Sequence, residues 1–217
     1  NKSVEQQRLL EAATDAVKNP KKAEIKPTKS LLNETFEEAA LEKHFEFPAY
    51  EAADINDLAT KYLPYDFKGM VKAILEIEAP LSEELLLKRI VWLFGREKVT
   101  SVVQKDYEQQ MYGHWSYGII CRNGFLYLDN GKEIRFRILG DIQRDIKQIA
   151  PEELAAGMFE ILKQNVAVDK NGLYRSLALQ CGVTRVGKAI NEAMDAALYL
   201  LLQNESVKID GDQVLLK

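Results

Sequence analysis

Very little in this sequence can do chemistry. Its 217 residues include two cysteines and two histidines, too few for a disulfide framework. No pair of Cys or His residues has zinc-ligand spacing. No Ser or Cys has an adjacent base to activate it as a nucleophile. The GxxxxGK[ST] loop that cradles phosphates is absent. No apolar run approaches the roughly 20 residues of a membrane span, and the opening NKSVEQQRLLEAA lacks the apolar core of a signal peptide. These absences argue against an enzyme, a metal site, a cofactor, a small-molecule substrate and a membrane partner. They place the protein in the cytoplasm. Cys121 and Cys181 sit in apolar contexts, so both are expected as buried reduced thiols, although the sequence leaves a disulfide between them open. The missing initiator methionine suggests a fragment or a processed chain.

Acid–base candidates have plain structural explanations. His44 lies in a charged helix end and His114 in MYGHWSYG, where solvation and a packing or dipole role suffice. Glu83-Glu84 and Glu152-Glu153 fall in first helical turns, where the helix dipole favours carboxylates.

What the sequence does contain is a repeat. SEELLLKRIVWLFG, Ser82–Gly95, is matched eighty-seven positions later by DKNGLYRSLALQCG, Asp169–Gly182. Ser82 and Asp169 are good N-caps. Leu81 with Leu86, and Val168 with Leu173, have the spacing of a hydrophobic staple. Gly95 and Gly182 suit the left-handed position past a helix end. The match runs without a gap from Pro64/Pro151 through Tyr112/Tyr199 to Gly124/Gly211 and Leu128/Leu215.

Taken in order, residues 1–19 hold an amphipathic helix ended by Asn19-Pro20. A linker with short helices near Glu34–His44 and Ile55–Leu63 follows. In the first unit, Pro64 opens a helix, Ile77–Ala79 is extended, Ser82 caps a second helix, and a third covers roughly Lys98–Tyr112. Tyr117–Cys121 and Phe125–Leu128 form a hairpin around Asn123-Gly124. The second unit repeats this, with Pro151 opening a helix, Asp169 capping the next and Thr184 capping a third from Arg185 to about Gln203. Ser206–Ile209 and Val214–Leu216 form its hairpin. In the connector, Glu133–Ile138 alternates charged and apolar residues and is expected as a strand beside the first hairpin. Three helices followed by a hairpin describe a winged helix, with glycine in the helix-turn-helix turn. The fold class is therefore mostly α with small β hairpins (α+β). It comprises an N-terminal helical linker region (1–63), winged-helix units at 64–128 and 151–217, and a connector at 129–150.

The stretch Ile74–Val99, ILEIEAPLSEELLLKRIVWLFGREKV, resembles a family of uncharacterised domains near the C-terminal end of large bacterial helicase-like proteins. Ala79-Pro80, Phe94-Gly95 before Arg96–Lys98, and the later IAPEEL and CGVTRVGKAINEAM carry the resemblance, over roughly residues 70–215. It implies parents with a superfamily-one helicase motor, often beside a Vsr-like endonuclease domain, as partners.

In a helix-turn-helix, side chains at the start of the third helix reach base edges while others hold phosphates. The expected nucleic-acid contacts are Arg96, Lys98, Ser101, Gln104, Lys105 and Arg122 in the first unit, and Thr184, Arg185, Lys188 and Asn191 in the second. DNA binding by a non-catalytic helicase-associated module is thus the leading expectation. The net charge of −4 and the acidic second turn, Asp210 and Asp212, oppose it. A protein-docking scaffold using the same surfaces is the alternative.

Overall fold

Each half of the body starts from a helix that buries one apolar stripe. In a computed structural model, described for residues 45–138, 140, 143–165 and 167–217, the first such helix is preceded by α1 (Ile55–Tyr62). α2 (Phe67–Glu78) buries Met70, Val71, Ile74 and Leu75, and Asp66 caps it through the Gly69 N–H at 2.9 Å. The chain then forms β1 (Leu81–Ser82), α3 (Glu83–Leu93), α4 (Ser101–Met111), a 3-10 turn at His114–Tyr117, β2 (Ile119–Arg122) and β3 (Phe125–Leu128). After a connector come α5 (Pro151–Lys163), β4 (Val168–Asp169), α6 (Lys170–Gln180), α7 (Lys188–Gln203), β5 (Val207–Asp210) and β6 (Gln213–Leu216). The result is α+β: seven helices and two three-stranded antiparallel sheets among the described residues, ordered β1-β3-β2 and β4-β6-β5.

The caps read in the sequence form. Ser82 Oγ accepts the Leu85 N–H, and Asp169 accepts those of Asn171 and Gly172. Gly95 (φ 67°) and Gly182 (φ 74°) end α3 and α6 in the left-handed region. The next N–H groups, of Arg96 and Val183, reach back to the carbonyls of Val91 and Ala178, closing the last turn of each helix. Pairing of β1 with β3 matches Leu81 to Leu126, and β4 with β6 matches Val168 to Val214. Each sheet therefore shares its apolar face with the helices of its own half. Two cores result, one around Met70, Ile74, Leu86 and Leu126, the other around Leu154, Met158, Leu173, Leu177 and Val214.

Several expectations are corrected. Pro64 sits in the turn before α2 rather than opening it, and Ile77 and Glu78 are helical, so the extended piece is Leu81–Ser82. Thr184 caps no helix: α7 starts at Lys188 behind Gly187, whose carbonyl takes the Ile190 and Asn191 N–H groups. Similarly α4 starts at Ser101 behind Thr100, leaving Lys98 in the turn. The repeat is gapless only through the start of the third helices. β5 and β6 lie eighty-eight positions after β2 and β3, because α7 runs on where the first unit breaks into the 3-10 turn. The true hairpin partners are thus Asn123-Gly124 and Gly211-Asp212. In the first hairpin both turn residues have positive φ, and in the second only Gly211 does, which suits type I′ and type II′ turns respectively.

Glu133–Ile138 is not a strand. Ile138 exchanges backbone hydrogen bonds with Pro48 and Tyr50, and Phe136 enters the second core edge-on to Phe47 at 4.8 Å. The alternation is real, but its apolar and charged residues serve a core and an ion cluster rather than one sheet face. Helices expected at 1–19 and 34–44 lie outside the described residues. No described helix is long and apolar enough to cross a membrane.

Candidate functional site

The ten expected contacts lie on two separate turns, on the starts of the helices α4 and α7 that follow them, and on one hairpin. Around the turn from α3 to α4, Arg96, Lys98, Ser101 and Lys105 are exposed, and Gln104 bonds Glu108 at 3.0 Å. In the second unit Thr184 and Arg185 project from the turn before α7 and Asn191 is exposed in its first turn. Lys188, 90% exposed in its side chain, pairs loosely with Glu192 at 3.8 Å. Arg122 is committed elsewhere: its guanidinium lies 4.5 Å from the Tyr127 ring centre and 3.9 Å from Glu152. Acidic residues interleave with the cations on both third helices, Asp106 and Glu108 on α4, Glu192 and Asp195 on α7.

The same turn of the first unit exposes large apolar side chains. Trp92 and Phe94 at the end of α3 are each 61% exposed, and Val102 on α4 is 64% exposed. Beside them α2, α3 and α4 enclose a groove of about 540 Å³, walled by Phe67, Leu87, Ile90, Val91, Phe94 and Val103. Arg96, Asp106 and Gln110 supply its polar groups. In the second unit the positions of Asp106 and Gln110 are Ala193 and Ala197. There the chain covers α7 itself: the 3-10 turn Ile146–Gln148 packs on that helix, and Ile146 and Ile149 join the core with Met194 and Ala197. The groove that one unit leaves open is, in the other, capped by two isoleucines one turn apart.

Sequence reading missed the buried charges. Glu78, fully buried, accepts from the Tyr50 hydroxyl, the Ala53 N–H and Arg89, whose Nη1 lies 2.6 Å from Oε2. Glu153, also fully buried, holds Arg137 at 2.9 Å and Arg144 at 2.8 Å. Arg137 also donates to the carbonyls of Glu78 and Pro80, and both arginines flank the Tyr50 ring. So Glu153 is no mere dipole partner; with Arg137 it pins the second unit to the first. The signal that existed was a lone Glu78 and a lone Arg89 on otherwise apolar helix faces. Burial, then Glu78, pushes the Tyr50 hydroxyl well above its ordinary value of 10.0.

The cysteines differ. Cys181 is buried, and burial pushes its thiol up to about 12. Cys121 is an exposed residue, contrary to expectation: it shares its strand face with the buried Ile119, but toward the hairpin end of β2 that face borders an open cavity with Glu83, Tyr107 and Trp115. Partial burial of its thiol, then a hydrogen bond to Glu83, still pushes it up to about 11. Both are free. Among the described residues no group of three His, Cys, Asp or Glu is arranged to hold a metal ion. Comparison with protein-family models, curated proteins and solved structures finds no match to this chain.

Proposed function

We propose that this chain is a non-catalytic docking module built of two winged-helix units, and that the first unit receives a short apolar segment of a partner polypeptide in its groove. The winged-helix reading is supported by helices α2–α4 and α5–α7, each set followed by a hairpin, with the strand before the second helix completing the sheet. The observation that carries docking is the difference between the units. The second unit covers its third helix with Ile146 and Ile149, whereas the first leaves an apolar groove rimmed by Trp92 and Phe94. The occupant that fits is one helical turn presenting two large apolar residues three positions apart, a helix-in-groove mode of recognition. In a helicase-like parent, the motor or nuclease domain would supply it.

A labelled helical peptide with an Ile-x-x-Ile face tests this on the full chain. Binding is expected to weaken at least tenfold in Phe94→Ser with Trp92→Ser, whose residues are already exposed. Unchanged affinity in that variant overturns the proposal.

DNA contact is the second reading, favoured by Arg96, Lys98, Lys105 and Arg185, which are exposed and have no side-chain ion pair among the described residues. Its test is anisotropy of labelled single-stranded, duplex and forked DNA across a salt series. Binding that falls steeply with salt and is lost on Arg185→Glu with Lys188→Glu would establish it.

A further inference from the structure

The two units treat one carboxylate position in opposite ways. In the second unit Asp195, on α7, accepts the Lys170 ammonium at 2.8 Å and the Tyr174 hydroxyl at 2.7 Å. Those bonds, Lys170 first, hold its carboxyl below the usual carboxylate range. Lys170 is the first residue of α6 and also faces the Tyr174 ring at 5.4 Å. Eighty-seven positions earlier, the residue matching Asp195 is Glu108, again a carboxylate on the third helix. The residue matching Lys170 is Glu83. The first unit therefore keeps the acid and replaces its cation with a second acid.

Those two carboxylates face one cavity of about 400 Å³, together with Tyr107, Met111, Tyr112 and Trp115. Glu83 accepts the Tyr107 hydroxyl at 3.1 Å, and Glu108 accepts from Gln104. Neither forms an ion pair with a lysine or arginine among the described residues. Lys68 comes near Gly113 at the loop without pairing with either. His114 also faces the cavity, but its Nδ1–H donates to the Met111 carbonyl at 3.0 Å. Trp115 and Tyr112 are 76% and 84% exposed. Both stand on the 112–118 loop, where the second unit instead continues α7, which has 16 residues against 11 in α4.

We infer that this cavity receives an arginine side chain from a basic segment of a partner polypeptide. Carboxylates supply the charge, and exposed aromatic rings suit a guanidinium better than an ammonium, because its planar, weakly hydrated face stacks on them. The second unit shows the same site satisfied from within the chain, by a cation lying against a carboxylate and a ring. The inference stands whether or not the groove on the other side of α4 takes an apolar segment.

The test uses the full chain carrying Trp92→Phe, which leaves Trp115 as the sole reporter of the two tryptophans. It is titrated with acetyl-Gly-Arg-Gly-amide and with the uncharged citrulline counterpart. The arginine peptide is expected to change Trp115 emission saturably and the citrulline peptide not at all. Glu108→Gln, at an exposed position, is expected to weaken binding several-fold with melting unchanged. Glu83→Lys, which recreates the Lys170–Asp195 arrangement, is expected to abolish it. Equal responses to arginine and citrulline, or full affinity in Glu108→Gln, overturn the inference. An equal response to spermidine makes the occupant a small polycation. Concentration-dependent self-association reversed by the peptide makes it a second copy of this chain; either result overturns the assignment to a partner.

Discussion

The first and second units begin as copies and end as different objects. From β1 and β4 to the start of the third helix their elements fall at one spacing, with α3 and α6 capped at the same position and ended by the same glycine exits, although α2 starts behind an Asp66 cap and α5 at Pro151 without one. Beyond it they diverge. The second unit closes on itself: α7 runs on for 16 residues, Ile146 and Ile149 cover it, and Lys170 satisfies Asp195. The first stays open on both sides of α4, with an apolar groove on one side and an acidic, aromatic cavity on the other. Duplication thus provides an internal control. Where one copy satisfies an apolar face or a carboxylate from its own chain and the other does not, the unsatisfied copy is the better candidate for a ligand.

The comparison breaks hardest at the seam. Glu153→Gln leaves Arg137 and Arg144 buried without their carboxylate, and a loss of about 3–5 kcal/mol is expected. Urea unfolding checks this, and the single transition is expected to split as the two cores lose their joint anchor. Next comes Gly157, where an added Cβ would meet Leu177 at 2.6 Å and Phe136 at 2.8 Å. Its counterpart in the first unit is Met70, so close approach is a demand of the second unit alone. Gly157→Ala is expected to cost about 1–3 kcal/mol by thermal melting.

Smaller effects sharpen the difference between the carboxylates. Asp195→Asn should cost about 1 kcal/mol, through its ion pair and the Tyr174 bond, whereas Glu108→Gln should stay within about 0.5 kcal/mol. Because the Asp195 carboxyl is held below its ordinary 3.8, its contribution is present above that pH and fades as pH falls through the lowered value. Melting of wild type and Asp195→Asn should therefore converge in acid. Last, partial burial and Glu83 push the Cys121 thiol up to about 11 from 9.0, so its thiolate at neutral pH is expected to be about a hundredfold scarcer than an ordinary cysteine's. Alkylation at neutral pH should be slow despite exposure, and replacing Glu83 with Gln should speed it.

Local signals explain what the sequence could reveal. Ser82, Asp169, Gly95 and Gly182 act on their own helix ends, so their roles were readable from spacing alone. The hairpin at Asn123-Gly124 was readable for the same reason. The extra residue between the repeats was hidden, since Gly124 and Gly211 align by eye although Gly211 takes the place of Asn123. Glu133–Ile138 misled because alternation reports two different environments, not which partners fill them. The site was least legible. Pairing of Glu78 with Arg89, or of Glu153 with Arg137 and Arg144, joins residues 11, 16 and 9 positions apart on different elements, a separation that no helix or strand period announces. The basic residues chosen for DNA were selected by position on an assumed recognition helix, and the groove and cavity beside that helix leave no local mark.

The most direct measurement is a backbone-amide NMR map of the full chain during titration with the Ile-x-x-Ile helical peptide. The account predicts shifts concentrated between Glu83 and Gly118, at the groove walls and the start of α4, with residues 168–216 of the second unit unmoved. Shifts centred on Thr184, Arg185, Lys188 and Asn191, or spread equally over both units, would contradict it.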